Sequence, residues 1–90
     1  MGNGVYLEMT YRKGKPFVGY LSLNRRAGDY AADTKKLAPG LVVDFASDGR
    51  PIGIEIVSPS VVTGESINAL LRQLQQDPLP EEELAPLTAK

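Results

Sequence analysis

The strongest constraint on the fold is one dipeptide, Asp48-Gly49, which separates two runs of branched apolar residues. Residues 41–46 and 51–57 are rich in Leu, Val, Ile and Phe on either side of it. Asp-Gly between such runs is the strongest short signal for a β-hairpin, because glycine readily adopts the positive φ that tight turns require. The two runs are therefore predicted to be neighbouring antiparallel strands.

Centring the turn on this dipeptide predicts which side chains share a face. The predicted core pairs are Phe45 with Ile52, Val43 with Ile54 and Leu41 with Ile56. On the opposite face Val42 meets Glu55, and Asp44 meets Gly53.

Two further strands are predicted at the N-terminal end, because apolar residues alternate over residues 5–12 and again over 17–23. A short loop at Lys13-Gly14-Lys15 would pair Tyr11 with Phe17 and Leu7 with Leu21. A short strand is also expected near Ala31–Leu37, since long unstructured stretches are uncommon in compact domains.

One amphipathic helix is predicted after the strands. Thr63 is the expected N-cap and Asp77-Pro78 the expected end. An apolar stripe runs along this segment through Ile67, Leu70, Leu71 and Leu74. The predicted fold class is α+β, a small antiparallel β-meander of four to five strands packed on one C-terminal amphipathic helix. Residues 1–76 form the predicted single domain, and 77–90 a disordered acidic, proline-containing tail, with folding on a partner as the alternative.

The amino-acid composition limits the catalytic and metal-binding chemistry that is open to this chain. The chain contains no cysteine and no histidine, which removes disulfides, thiolate nucleophiles, histidine bases and most transition-metal sites. No apolar run approaches the length of a membrane span, and the first residues lack the pattern of a signal peptide. We therefore expect a cytoplasmic protein that is not an enzyme, uses no cofactor and does not associate with membranes.

Charge is unevenly distributed along the chain. Residues 12–36 hold seven basic and two acidic residues, whereas residues 37–90 hold three basic and eight acidic ones. A basic segment is compatible with nucleic-acid binding. The candidate contacts for that alternative are Lys13, Lys15, Arg25, Arg26, Lys35 and Lys36.

The acidic residues Asp44, Asp48 and Glu55 form the other candidate site. Asp44 and Glu55 lie diagonally on neighbouring predicted strands, so they could bind Mg²⁺ or Ca²⁺ weakly or act as a base. The structural alternative is that Asp44 binds N–H groups of the hairpin turn and Glu55 pairs with a basic residue. Gly53, in mid-strand, indicates a bulge or the close approach of another backbone, and Tyr20, predicted opposite Glu8 on the face away from the core, is a candidate contact residue. The alternative is that both residues only shape the twist of the sheet.

The string from Val43 to Ile56, with its Asp, its acidic-Gly turn and its Gly-Ile-Glu-Ile run, resembles the signature of the YuzE-like bacterial family of unknown function. Tyr20-Leu21-Ser22-Leu23 is similar to that family's earlier tyrosine-containing strand. The chain departs from the pattern at Ala46, where the family often has an acidic residue. The resemblance implies a β-meander with one helix, no established activity, and an antitoxin-like role beside a small toxin.

These observations favour a protein-binding module over the nucleic-acid and carboxylate-metal alternatives. A sheet covered by one helix leaves its second face exposed, with Tyr6, Val18, Tyr20, Val42 and Val57 on it. The expected partner is a second copy, forming a homodimer, or a small protein.

Overall fold

The computed structural model describes residues 5–88 and shows an α+β fold in two layers. One layer is a five-stranded antiparallel sheet in the order β1-β2-β5-β4-β3. Its strands are β1 (Tyr6–Arg12), β2 (Lys15–Ser22), β3 (Asp33–Ala38), β4 (Leu41–Phe45) and β5 (Pro51–Ile56). The other layer contains α1 (Gly64–Gln73) and α2 (Glu81–Thr88), preceded by a 3₁₀ turn at Pro59–Val61. The α+β, meander-like prediction is confirmed, with two helices where one was expected.

The loop over residues 23–32 decides the strand order. The backbone N–H of Leu23 donates to the carbonyl of Ile52 at 3.1 Å, and that of Ala32 donates to the carbonyl of Phe45 at 2.8 Å. The loop therefore passes along the ends of β5 and β4, and β3 begins at the far edge of the sheet. The strand expected near Ala31–Leu37 exists, shifted by one or two residues.

The predicted registers are correct in the middle of each hairpin and wrong beside each turn. Leu7 lies opposite Leu21, and Val43 lies opposite Ile54, as expected. Bulges shift the end pairs, so that Tyr11 meets Pro16 and Phe45 meets Pro51. In the first hairpin Arg12 already pairs with Lys15, because Lys13 and Gly14 both adopt positive φ, 53° and 78°, in a two-residue turn.

The core lies between the sheet and the helices. Ile54, Ile56 and Leu21 from the sheet are fully buried, as are Ile67 and Leu71 from α1. Thr63 caps α1 as predicted: its hydroxyl accepts from the Ser66 N–H at 3.0 Å, while the Ser66 hydroxyl accepts from the Thr63 N–H at 3.0 Å.

The predicted end of α1 at Asp77-Pro78 is wrong by one turn. Gln75 adopts a left-handed φ of 62°, which stops the helix. The N–H of Gln76 then donates to the Leu71 carbonyl at 2.7 Å and that of Gln75 to the Arg72 carbonyl at 3.0 Å. This is a Schellman motif closed without glycine.

Residues 77–88 of the tail were expected to be disordered, but they contain the helix α2. Leu84 and Leu87, three residues apart, are each 5% exposed within the core cluster. The Asn68 side chain fixes the approach, accepting from the Leu79 N–H at 2.8 Å and donating to its carbonyl at 3.0 Å. The helix forms because the sheet beside α1 offers these leucines an apolar surface. Residues 1–4 of the predicted domain and 89–90 of the predicted tail lie outside the described residues.

Candidate functional site

The face of the sheet opposite the helices, here called the outer face, is covered by no helix of residues 5–88. Its side chains stand in rows that cross the strands. One row contains Glu8, Tyr20, Glu55, Val42 and Lys36, each opposite the next. The adjacent row contains Tyr6, Ser22, Gly53, Asp44 and Thr34. This face also carries exposed apolar side chains, both within these rows and beyond them: Tyr6 is 52% exposed, Val18 36% and Val57 47%.

Asp44 is the centre of a polar cluster on this face. It is only 5% exposed, yet both carboxylate oxygens have partners. Oδ2 accepts from the Tyr20 hydroxyl at 3.1 Å, and Oδ1 accepts from the Thr34 hydroxyl at 3.0 Å. A carboxylate can be buried at low energetic cost when hydrogen bonds from the protein replace those it loses to water. Tyr20, Arg25, Thr34, Asp44 and Glu55 are called the Asp44 cluster below.

Gly53 allows Tyr20 to reach Asp44. Tyr20 is on β2 and Asp44 on β4, so the tyrosine side chain must cross β5 between them. A Cβ at Gly53 would overlap the Tyr20 hydroxyl and ring. The group that approaches this glycine is therefore the Tyr20 side chain and not the second backbone that was expected, and a larger residue would displace it.

Arg25, from the loop after β2, completes the cluster. Its Nη2 donates to the Tyr20 hydroxyl at 2.9 Å and its Nε to the Ile52 carbonyl at 3.3 Å. The guanidinium carbon lies 5.6 Å from the centroid of the Tyr20 ring. Burial, followed by the charge of Asp44, raises the pKa of Tyr20, so its hydroxyl remains a donor at neutral pH.

Glu55 is the second carboxylate of the cluster. Burial and the neighbouring Asp44 raise its pKa above the ordinary value. The salt bridges among the described residues join Lys35 to Asp33 and Arg50 to Asp29 and Asp48, and none reaches Glu55. The partners expected in the structural alternative are therefore wrong, although Asp44 is satisfied within the fold: it accepts from hydroxyls rather than turn N–H groups, and Glu55 forms no salt bridge with a described cation.

The neighbouring carboxylates of Asp44 and Glu55 can share a proton or bind a cationic group of another molecule. Within residues 5–88 no group of three or more acidic side chains is arranged to hold a metal ion.

Asp48 lies away from the cluster. It is in the β4–β5 turn, where its Oδ2 accepts from Arg50 Nε at 2.8 Å. Arg50 Nη2 also donates to Asp29 Oδ1 at 2.7 Å, which ties the 23–32 loop to the hairpin. These hydrogen bonds hold the pKa values of Asp29 and Asp48 below their usual range. Asp48 therefore stabilises the turn, and it does not belong to the acidic site with which it was grouped on sequence alone.

The six basic candidates do not form one patch. Lys13 lies in the β1–β2 turn and Lys15 directly follows it, whereas the Arg25-Arg26 pair lies beyond the opposite end of β2. Lys35 and Lys36 are on β3, at the far edge, and point to opposite faces. A continuous cationic surface, as nucleic-acid binding favours, is not present among these residues.

No protein-family model matches the chain, and no curated protein or solved structure is significantly similar to it. The YuzE-like resemblance therefore stays a prediction. None of the helices in the described part of the chain is long and apolar enough to cross a membrane.

Sequence reasoning identified Tyr20, Asp44, Gly53 and Glu55 but missed Arg25 and Thr34 as members of one cluster. Thr34 lies opposite Asp44 only because β3 pairs with β4 in this register. The signal available in the sequence was the Pro39-Gly40 turn, which joins these two strands.

Proposed function

We propose that this protein is a non-enzymatic protein-binding module whose partner docks on the outer face of the sheet. The observation that carries the proposal is the uncovered face itself, which carries exposed Tyr6, Val18 and Val57 as well as the polar cluster around buried Asp44.

The composition of this face supports the proposal. Protein interfaces combine aromatic and apolar anchors with polar groups whose positions are fixed in advance. Tyr20 is held in place by Arg25 and Asp44, so it would lose little conformational freedom on binding. Val18 and Val57 come directly before and directly after the last pair of β2 and β5, Gly19 with Ile56, and both are exposed, so they add apolar surface at one end of the sheet.

Affinity capture from the native host with face variants tests the proposal. Tagged wild type, Val18→Lys and Val57→Lys are compared with Val61→Lys, which changes another exposed valine, on the 3₁₀ turn outside the face. We expect wild type and Val61→Lys to retain the same protein, identified by mass spectrometry with copies of this chain counted, and both face variants to lose it. Equal capture by all four proteins would contradict the proposal.

Two further parts of the hypothesis rest on the sequence alone. They are a cytoplasmic location and an antitoxin-like pairing with a small toxin. Both would gain support if the protein captured through the outer face were a small toxin encoded beside this chain.

A further inference from the structure

We propose that the outer face binds a second copy of this chain about a two-fold axis parallel to β5. This inference rests on the proposed function, because it names the partner of the same surface. The two sheets would stack face to face, as aligned sheets do in β-sandwiches.

The charges of one row point to this partner. Glu8 and Lys36 occupy the two ends of the row, on edge strands β1 and β3, with Tyr20, Glu55 and Val42 between them. Both end residues are exposed, and neither forms a salt bridge with another described residue. A surface with opposite charges at the ends of one row is complementary to its own rotated copy.

The same charges select the axis. A two-fold parallel to the strands places β1 of one copy over β3 of the other, so that Glu8 meets Lys36 twice. The same rotation places Tyr20 over Val42. A two-fold perpendicular to the strands would instead place Glu8 over Glu8 and Lys36 over Lys36, which like-charge repulsion disfavours.

The parallel axis passes over β5 and therefore brings the two Glu55 side chains together. Asp44 on β4 and Tyr20 on β2 already flank each of them, with Arg25 bound to Tyr20 and Glu8 and Lys36 at the row ends. The raised pKa of Glu55 lowers the cost of protonating one member of the pair. The dimer is thus expected to tighten in Glu55→Gln, and to tighten as pH falls for as long as Glu8 stays ionised and can attract Lys36.

The size of the face fits a weak dimer. Five strands spaced about 4.8 Å apart and about six residues long offer roughly 24 by 20 Å, so two copies bury about 1,000 Å². That area is the lower limit for a specific interface. We therefore expect association at micromolar rather than nanomolar concentration.

Charge reversal, with mass measured by sedimentation equilibrium at low ionic strength, tests both the partner and the axis. Wild type is expected to dimerise, and Glu8→Lys or Lys36→Glu to weaken the dimer about tenfold each, because two attractive pairs become repulsive. The double variant Glu8→Lys/Lys36→Glu is expected to restore it. Glu55→Gln is expected to tighten it severalfold at neutral pH.

Lys35→Glu is the matched control, since it makes the same charge change on the same strand but on the opposite face. It should dimerise like wild type. A wild-type mass of one chain up to hundreds of micromolar, or no rescue in the double variant, would overturn the proposed dimer. In that case the capture experiment separates the two proposals. If wild type captures a protein other than itself and Val57→Lys does not, the protein-binding function stands and only the proposed partner is wrong.

Discussion

The two faces of this sheet are built from alternate residues of the same strands, yet different forces hold them. On the helix-covered face, Ile54 and Ile56 are fully buried against apolar neighbours, where packing is non-directional and area decides the energy. On the outer face, Asp44 is nearly as buried but is held by directed hydrogen bonds from Tyr20 and Thr34. The covered face stabilises the fold, whereas the outer face fixes particular side chains in position.

Truncating the covered face should have the largest effect. Leu70 is 2% exposed on α1, so Leu70→Ala is expected to lower the free energy of unfolding by about 3–5 kcal/mol. Urea denaturation measures the change, with exposed Val61→Ala as the control. A loss of under about 0.5 kcal/mol at Leu70 would mean that α1 does not cover the sheet as described.

The contribution of α2 to the same face comes next. Leu84→Ala should cost about 2–3 kcal/mol, because the side chain is buried in the core cluster but at its edge. Glu82→Ala, on the exposed side of α2, is the matched control. Urea midpoints equal to that of wild type in both variants would mean that α2 does not pack on the core and that the tail is disordered.

On the outer face, Gly53→Ala should cost about 1–3 kcal/mol, since the new methyl group displaces the Tyr20 ring from Asp44. The same substitution made in a Tyr20→Ala background should cost much less. This double-mutant cycle isolates the contact between the two positions. Equal costs in both backgrounds would show that the glycine serves the backbone and not the cluster.

The smallest effect is expected from the charge of Glu55. Its raised pKa means that, as pH rises through its ordinary value of 4.5, the unfolded chain loses this proton before the folded chain does. The Glu55 contribution to stability therefore falls over that window and stays low above the folded-state pKa.

Glu55→Gln mimics the protonated form. Its urea midpoint should exceed that of wild type at neutral pH, and the two should converge below pH 4.5. Glu8→Gln, an exposed position in the same row, controls for the loss of a surface charge. A Glu55→Gln midpoint below the wild-type value at neutral pH would contradict the assigned shift.

Local patterns in the sequence determined much of the covered face. The Asp48-Gly49 turn, the alternation in the strands and the Thr63 cap each act within a few residues, so they could be read directly and were confirmed. The register errors at Tyr11 and Phe45 lie beside turns, where one residue more or less in the loop changes the pairing and only the finished hairpin shows the bulge.

Only the tertiary structure decided the outer face and α2. The Asp44 cluster joins residues from β2, β3, β4 and β5 and from one loop, and Thr34 reaches Asp44 only after the 23–32 loop has carried β3 to the far edge. Likewise, α2 has two buried leucines but too few apolar residues to show a helical repeat in the sequence. Its structure therefore depends on the apolar surface beside α1. Sequence determines the local segments because their forces are local, whereas the site and the last helix depend on surfaces that exist only once the sheet has assembled.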